Sequence, residues 1–262
     1  MKNKSTSRFL IAIVAIIFAA SSTSCKKEIT IEYQQPLVDV LTAIGDSASI
    51  APTLAQLKSL LGDSLNTTPG KIGGRREINW DAVPLTFHDN NTFPSDFFAQ
   101  TDAGFPSGRK RGATFTTTLS NDLRISSKSF DDVYAGFATQ FKVFSKKLIF
   151  GTMSGNTIDV TFKVPGQSTD ATVKGFGVIF LDVDKANKTS LEFFDAAGNS
   201  LGKFFAKPSD ANFSLLGVKF KDNSLVSKVR ITSGEEGIAN ISSFNDKVGM
   251  DDFLYDEPIA KE

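Results

Sequence analysis

From Thr157 to Val164 apolar and polar residues alternate without a break, putting Ile158, Val160, Phe162 and Val164 on one face. Period-two alternation marks a half-buried strand. Gly175 to Asp182 is almost continuously apolar and reads as a more deeply buried strand. Ser190 to Asp195 and Ser200 to Phe205 flank Ala196-Ala197-Gly198-Asn199, which predicts a hairpin with a four-residue loop. Phe213 to Phe220, Val226 to Thr232 and Met250 to Tyr255 add three strands, and Ala113 to Thr118 and Leu123 to Ser126 two shorter ones. Short strands separated by turn residues predict an all-β fold. We expect an antiparallel β-sandwich, jelly-roll-like, over 73–257.

One segment follows the helical period instead. Leu54, Leu57, Leu60 and Leu61 share a face of a helix predicted over Ile50 to Leu61. Pro52 then falls in its first turn, and Gly62 ends it. We expect 50–72 to pack on the sandwich as a helical segment. Ahead of it, Lys26 to about Thr42 reads as a tether or an added strand, because Ile29, Ile31 and Tyr33 alternate with Thr30 and Glu32. Domain by domain, 25–49 is expected to be a tether and 258–262 a tail.

The first 24 residues have a different logic. Lys2, Lys4 and Arg8 precede an apolar run from Phe9 to Ala20, and Ser22-Thr23-Ser24 leads into Cys25, the only cysteine. The run is shorter than the roughly 20 residues that span a bilayer. A basic start, a short apolar centre and a small-residue exit define a secretory signal. The cysteine at that exit matches a bacterial lipoprotein signal, in which Cys25 is lipidated. We expect the protein at the bacterial cell envelope, held to the membrane by lipid.

Composition narrows the chemistry. Phenylalanine occurs 24 times, which suits an interlocking core between two sheets. Basic and acidic residues are equal at 29 each, and loss of the signal leaves the remainder mildly acidic. No basic field for nucleic acid results. An intrachain disulfide is excluded by the cysteine count. The single histidine, His88, has no serine elbow to serve, and reads as a loop residue. No phosphate-binding glycine motif occurs.

Several segments, in order, resemble a family of secreted bacterial proteins of unknown activity. They are Gly74 to Pro84, Asn91 to Phe98, Arg111 to Phe115, Gly175 to Asp184, Leu191 to Asp195 with Gly198-Asn199, Phe213 to Phe220, Val229 to Gly234 and Met250 to Pro258. Some relatives in that family carry a PEP-type C-terminal sorting tail. This chain departs from them, since it ends soon after Pro258 and its expected attachment is through Cys25. The resemblance implies export and a β-sandwich and carries over no catalytic residue. The closing strand is also similar to that of carbohydrate-binding and galactose-binding-like jelly rolls, where paired acids near the domain end help hold calcium.

Calcium takes six to eight oxygen ligands from Asp, Glu, Asn and carbonyls at turns. Asp182 with Asp184, on one face of a strand end, are candidates, as are Asp251 and Asp252 on the closing strand, joined by Asp81 if the terminal strands are neighbours. Adjacent strand residues point to opposite faces, so Asp251 and Asp252 can serve one site only across a bulge. The alternative is that these acids cap turns and protect edges. Trp80 and Tyr255 are candidate aromatic platforms for a sugar ring, as is Tyr134, and a core position is the competing reading for Trp80. The functional expectation is a non-catalytic binding module for a glycan or an envelope partner. The alternatives are a carboxylate-dependent glycan-processing enzyme, with two acids flanking a cleft, and a structural envelope component.

Overall fold

The computed structural model describes residues 36–242 and 244–261. Cys25, the signal and the alternating Ile29-to-Tyr33 segment lie outside the described residues. In chain order the first elements are strand β1 (Val38–Gly45), helix α1 (Ser47–Leu61), β2 (Arg75–Ile78), β3 (Ala113–Thr116), β4 (Leu123–Ser126) and α2 (Phe137–Gln140). Then come β5 (Ile149–Thr152), β6 (Thr157–Lys163), β7 (Asp170–Thr172), β8 (Gly175–Val183) and β9 (Ser190–Phe194). The chain closes with β10 (Ser200–Phe205), β11 (Ser209–Phe220), β12 (Lys228–Thr232), β13 (Gly249–Asp256) and β14 (Ile259–Ala260).

Two antiparallel sheets pack face to face, as the alternation predicts. One runs β1-β11-β8-β13-β5-β4, with β2 also on β13; the other runs β10-β9-β12-β6-β7-β14, with β3 on β6. Ile158, Val160 and Phe162 of β6 are buried while Asp159, Thr161 and Lys163 face outward. The inner faces meet through aromatic edges: Phe253 touches Trp80, Phe115, Phe150 and Phe176, and Phe193 touches Phe220. Edge-to-face pairs of this kind add about 0.5–1.5 kcal/mol each beyond area burial.

The first sheet is buried on both faces, which is why β8 reads as continuously apolar. Its outer face carries a second core of Ile179, Leu181, Leu215 and Leu254 against Ile50, Leu54, Leu57 and Leu61 of α1. The helix starts earlier than its leucine spacing predicts, because Asp46 caps it. Ser49 N and Oγ donate to Asp46 Oδ1 at 2.8 and 2.7 Å. Pro52 therefore lies in the second turn, not the first.

Ahead of the helix, the added-strand alternative holds over 38–45 and the tether does not, and the expected tail is also corrected. Residues 38–45 form a full edge strand, from Val38 opposite Phe220 to Gly45 opposite Phe213. Ile259 and Ala260 pair with Thr172 and Ala171. Backbone hydrogen bonding, which short polar-flanked segments do not advertise, decides both.

Candidate functional site

Strand β8 pairs with β11 regularly from Gly175 to Leu181, then the register slips between Ser209 and Phe213. Residues 210–212 bulge opposite Asp182, and both Asp182 (φ 62) and Ala211 (φ 47) take left-handed backbone. Bulges re-aim side chains. Here Ala211 N donates to Asp182 Oδ1 at 2.6 Å, and Asp210 of the same bulge lies near Asp182 and Asp184. Carboxylate oxygens of Asp182, Asp184 and Asp210 lie within 4.8 Å of one another, and no other acid trio does so among the described residues.

Burial acts first on these groups. It pushes the buried Asp182 up to about 6, with the charges of Asp184, Asp210 and Asp246 adding to the rise. Asp184 is raised by burial and by Asp210, and Asp246 by burial. Asp246 braces the turn by accepting from Asp184 N and Lys185 N at 3.3 and 3.2 Å. The charge of Asp210 thus raises both Asp182 and Asp184, and that of Asp184 raises Asp182 and Asp246.

The cluster opens into a cleft of about 360 Å³. Tyr134, Phe137 and Gln140 line it from one segment of the chain, and Ile241, Phe244, Asn245 and Lys247 from another. Tyr134 is 51% exposed and leans on the buried Phe137 at 5.2 Å between ring centroids. Phe244 and Ile241 are exposed. The cleft thus combines acidic oxygens with aromatic and aliphatic surface.

Of the residues singled out from sequence, Asp182 and Asp184 do meet. Asp210, Asp246 and Phe244 were not anticipated. Ser209-Asp210-Ala211-Asn212 has turn composition, and only the long pairing of β11 shows that it continues a strand. The remaining acids are elsewhere. A bulge between Met250 and Phe253 lets Asp251 and Asp252 reach the same hydroxyl, with Ser145 Oγ at 2.8 and 2.7 Å from their Oδ1 atoms. Asp81 does come near this region, because β2 pairs β13. Its Oδ1 accepts from Lys147 N at 3.2 Å, and it forms no trio with the pair. Asp251 is 0% exposed and accepts from Phe144 N and Ser145 N. These three acids fasten a loop through hydrogen bonds, and among the described residues none of them belongs to a trio close enough to share an ion.

The aromatic platforms are corrected in the same way. Trp80 is 1% exposed and Tyr255 0%, so neither offers a ring face to a ligand. Trp80 sits past the end of β2 at φ 65, stacked on Phe150 at 4.0 Å, with Nε1 donating to Asp251 O at 2.7 Å. Tyr255 stacks on Phe176 and donates to Arg111 O at 3.1 Å. Asp195 caps its hairpin turn by accepting from Ala197 N and Asn199 N at 2.9 and 2.8 Å. His88 is half-buried, with Nε2 at 2.9 Å from Val83 O; a carbonyl cannot donate, so that nitrogen carries the proton.

No protein-family model, curated protein or solved structure matches this chain.

Proposed function

We propose that this protein is a non-catalytic binding module of the bacterial cell envelope. In this reading it is anchored through lipidated Cys25 and takes a glycan in the cleft beside Asp182. The observation that carries the reading is the acid trio within 4.8 Å at the edge of a cleft bearing Tyr134 and Phe244. Calcium–oxygen distances of about 2.3–2.6 Å put opposite ligands at most about 5 Å apart, so that spacing suits one shared calcium ion. Three carboxylates leave coordination positions for water and for sugar hydroxyls, while Tyr134 offers a face to the apolar side of a pyranose ring.

Glycan processing by a carboxylate pair has less support. Such enzymes hold their carboxyl groups about 5–5.5 Å apart for retention, or about 6.5–9.5 Å for inversion. Oxygens clustered within 4.8 Å, in a group of three, are crowded for that task.

A glycan array probed with the intact protein in calcium, then in chelator, tests the binding reading. Calcium-dependent binding that is lost in Asp184→Asn and weakened in Tyr134→Ala is expected. Absence of binding by folded protein, with no calcium-induced change in Tm, overturns it. The anchor is tested separately. Cys25→Ser should move the protein from the membrane to the soluble fraction, and an unchanged membrane fraction refutes lipidation.

A further inference from the structure

Ser145 Oγ carries one proton but lies within hydrogen-bond distance of two buried carboxylates, at 2.8 Å from Asp251 Oδ1 and 2.7 Å from Asp252 Oδ1. One hydroxyl proton satisfies one of these contacts. The other is a hydrogen bond only if a carboxyl proton is donated to the serine oxygen. Both carboxyl groups are buried, so an unmatched pair of charges has no water to relieve it.

We propose that Asp251 and Asp252 hold one proton between them and, through Ser145, form a pH-sensitive latch that pins residues 142–147 to the sheet and releases them when that proton is lost. The latch has four further attachments. Phe144 N and Ser145 N donate to Asp251 Oδ2 at 2.8 and 3.2 Å. Lys147 N donates to Asp81 Oδ1 at 3.2 Å, while Asp81 Oδ2 is buried without a partner. The Phe144 ring meets Phe213 edge-on at 5.2 Å.

The charged groups facing the pair come from the elements packed against β13. Glu77 of β2 raises Asp252 further, and Lys58 of α1 lowers it. Those two are themselves paired at 3.3 Å, and Glu77 also accepts from Arg75 Nε at 2.7 Å. Lys58 and Arg75 are thus both engaged by Glu77 rather than by the buried pair. Burial, then the charge of Asp252, pushes Asp251 up to about 8, and burial raises Asp252 as well. The two protons leave in separate steps that belong to the pair and not to either residue.

The pinned loop continues from α2, whose Phe137 and Gln140 line the cleft. Insofar as that cleft is the binding site, the latch sets the position of that part of its lining. The latch itself stands without that reading, and its test uses no ligand.

Trp80 is the only tryptophan in the chain, and its Nε1 donates to Asp251 O at 2.7 Å. Its fluorescence is therefore a local reporter. Titration of the full-length protein from pH 5 to 10 should show a one-proton change in emission near pH 8, moved to lower pH in Asp252→Asn, where Asp251 keeps its burial but loses the neighbouring charge. Should that variant not fold, hydrogen exchange on the wild type gives the second reading. Corrected for intrinsic rates, protection at Phe144 and Ser145 should fall at least tenfold between pH 6.5 and 9.5. A flat emission trace, a transition that persists unchanged in folded Asp252→Asn, or constant protection overturns the latch.

Discussion

Arg76 and Glu257 face each other fork to fork: Arg76 Nε and Nη2 each donate to one Glu257 oxygen, at 2.6 Å apiece. Both side chains are buried, and the pair joins β2 to the residue that follows β13. Asn66 Nδ2 adds a bond to Glu257 at 2.8 Å, and Arg76 Nη2 also donates to Thr68 O at 2.9 Å. The fork is satisfied at both ends, so desolvation is offset by geometry. Breaking it from one side leaves a buried charge alone. Arg76→Met should cost about 3–5 kcal/mol in urea unfolding, whereas Arg76→Met with Glu257→Leu should recover most of that loss. Equal destabilisation by the single and double variants would show that the pair is not what holds these strands.

Helix α1 rests where Gly177 of β8 and Gly217 of β11 lie opposite each other. A Cβ on either glycine would stand 2.6 Å from a Leu57 methyl carbon. The glycines are there to admit Leu57, which is fully buried. Gly217→Ala should cost about 1–3 kcal/mol by overpacking. Leu57→Ala should cost about 2–5 kcal/mol by leaving a cavity. Combined, the two should cost less than their sum, since the new methyl enters the space vacated. Strict additivity by denaturant titration would rule out direct contact as the cause.

On the proposed calcium reading, Asp182 should tie stability and cation binding to pH in opposite directions. Its carboxyl is pushed up to about 6 in the folded protein, above its ordinary 3.8. Between those values the native state keeps a proton that the unfolded chain has lost. Without calcium, stability contributed by this group is complete below pH 3.8 and is lost as the pH rises through 6. Asp182→Asn should flatten that decline. Calcium needs the carboxylate free of its proton, so the rise in Tm on adding calcium should be larger at pH 7.5 than at pH 5. Scanning calorimetry at the two pH values checks both signs, and a calcium effect independent of pH would argue against Asp182 as a ligand.

The strands were legible because their signal is local. Alternation in β6, the apolar run of β8 and the loop between β9 and β10 are properties of a few consecutive residues. The α1 leucines were equally plain, although the helix start was not, since the cap at Asp46 depends on a side chain with many other uses. For edge strand β1 the sequence leaves tether and added strand open, and for the short β14 it indicates only a tail. Their existence depends on partners far along the chain, Phe213 to Phe220 for one and Ala171-Thr172 for the other.

The candidate site was half legible. Asp182 and Asp184 are two residues apart, and strand geometry alone puts them on one side. Asp210 joins them only because β11 bulges where it passes β8. Trp80 and Tyr255 belong to types that serve both cores and binding faces, and nothing in their neighbours separates the two uses. By itself the sequence determined the longer strands such as β6, β8, β9 and β10, because alternation and apolar runs are enforced residue by residue. Only the tertiary structure decided which acids meet, which aromatics are buried and which loop is fastened, because bulges and strand neighbours join residues that are distant along the chain.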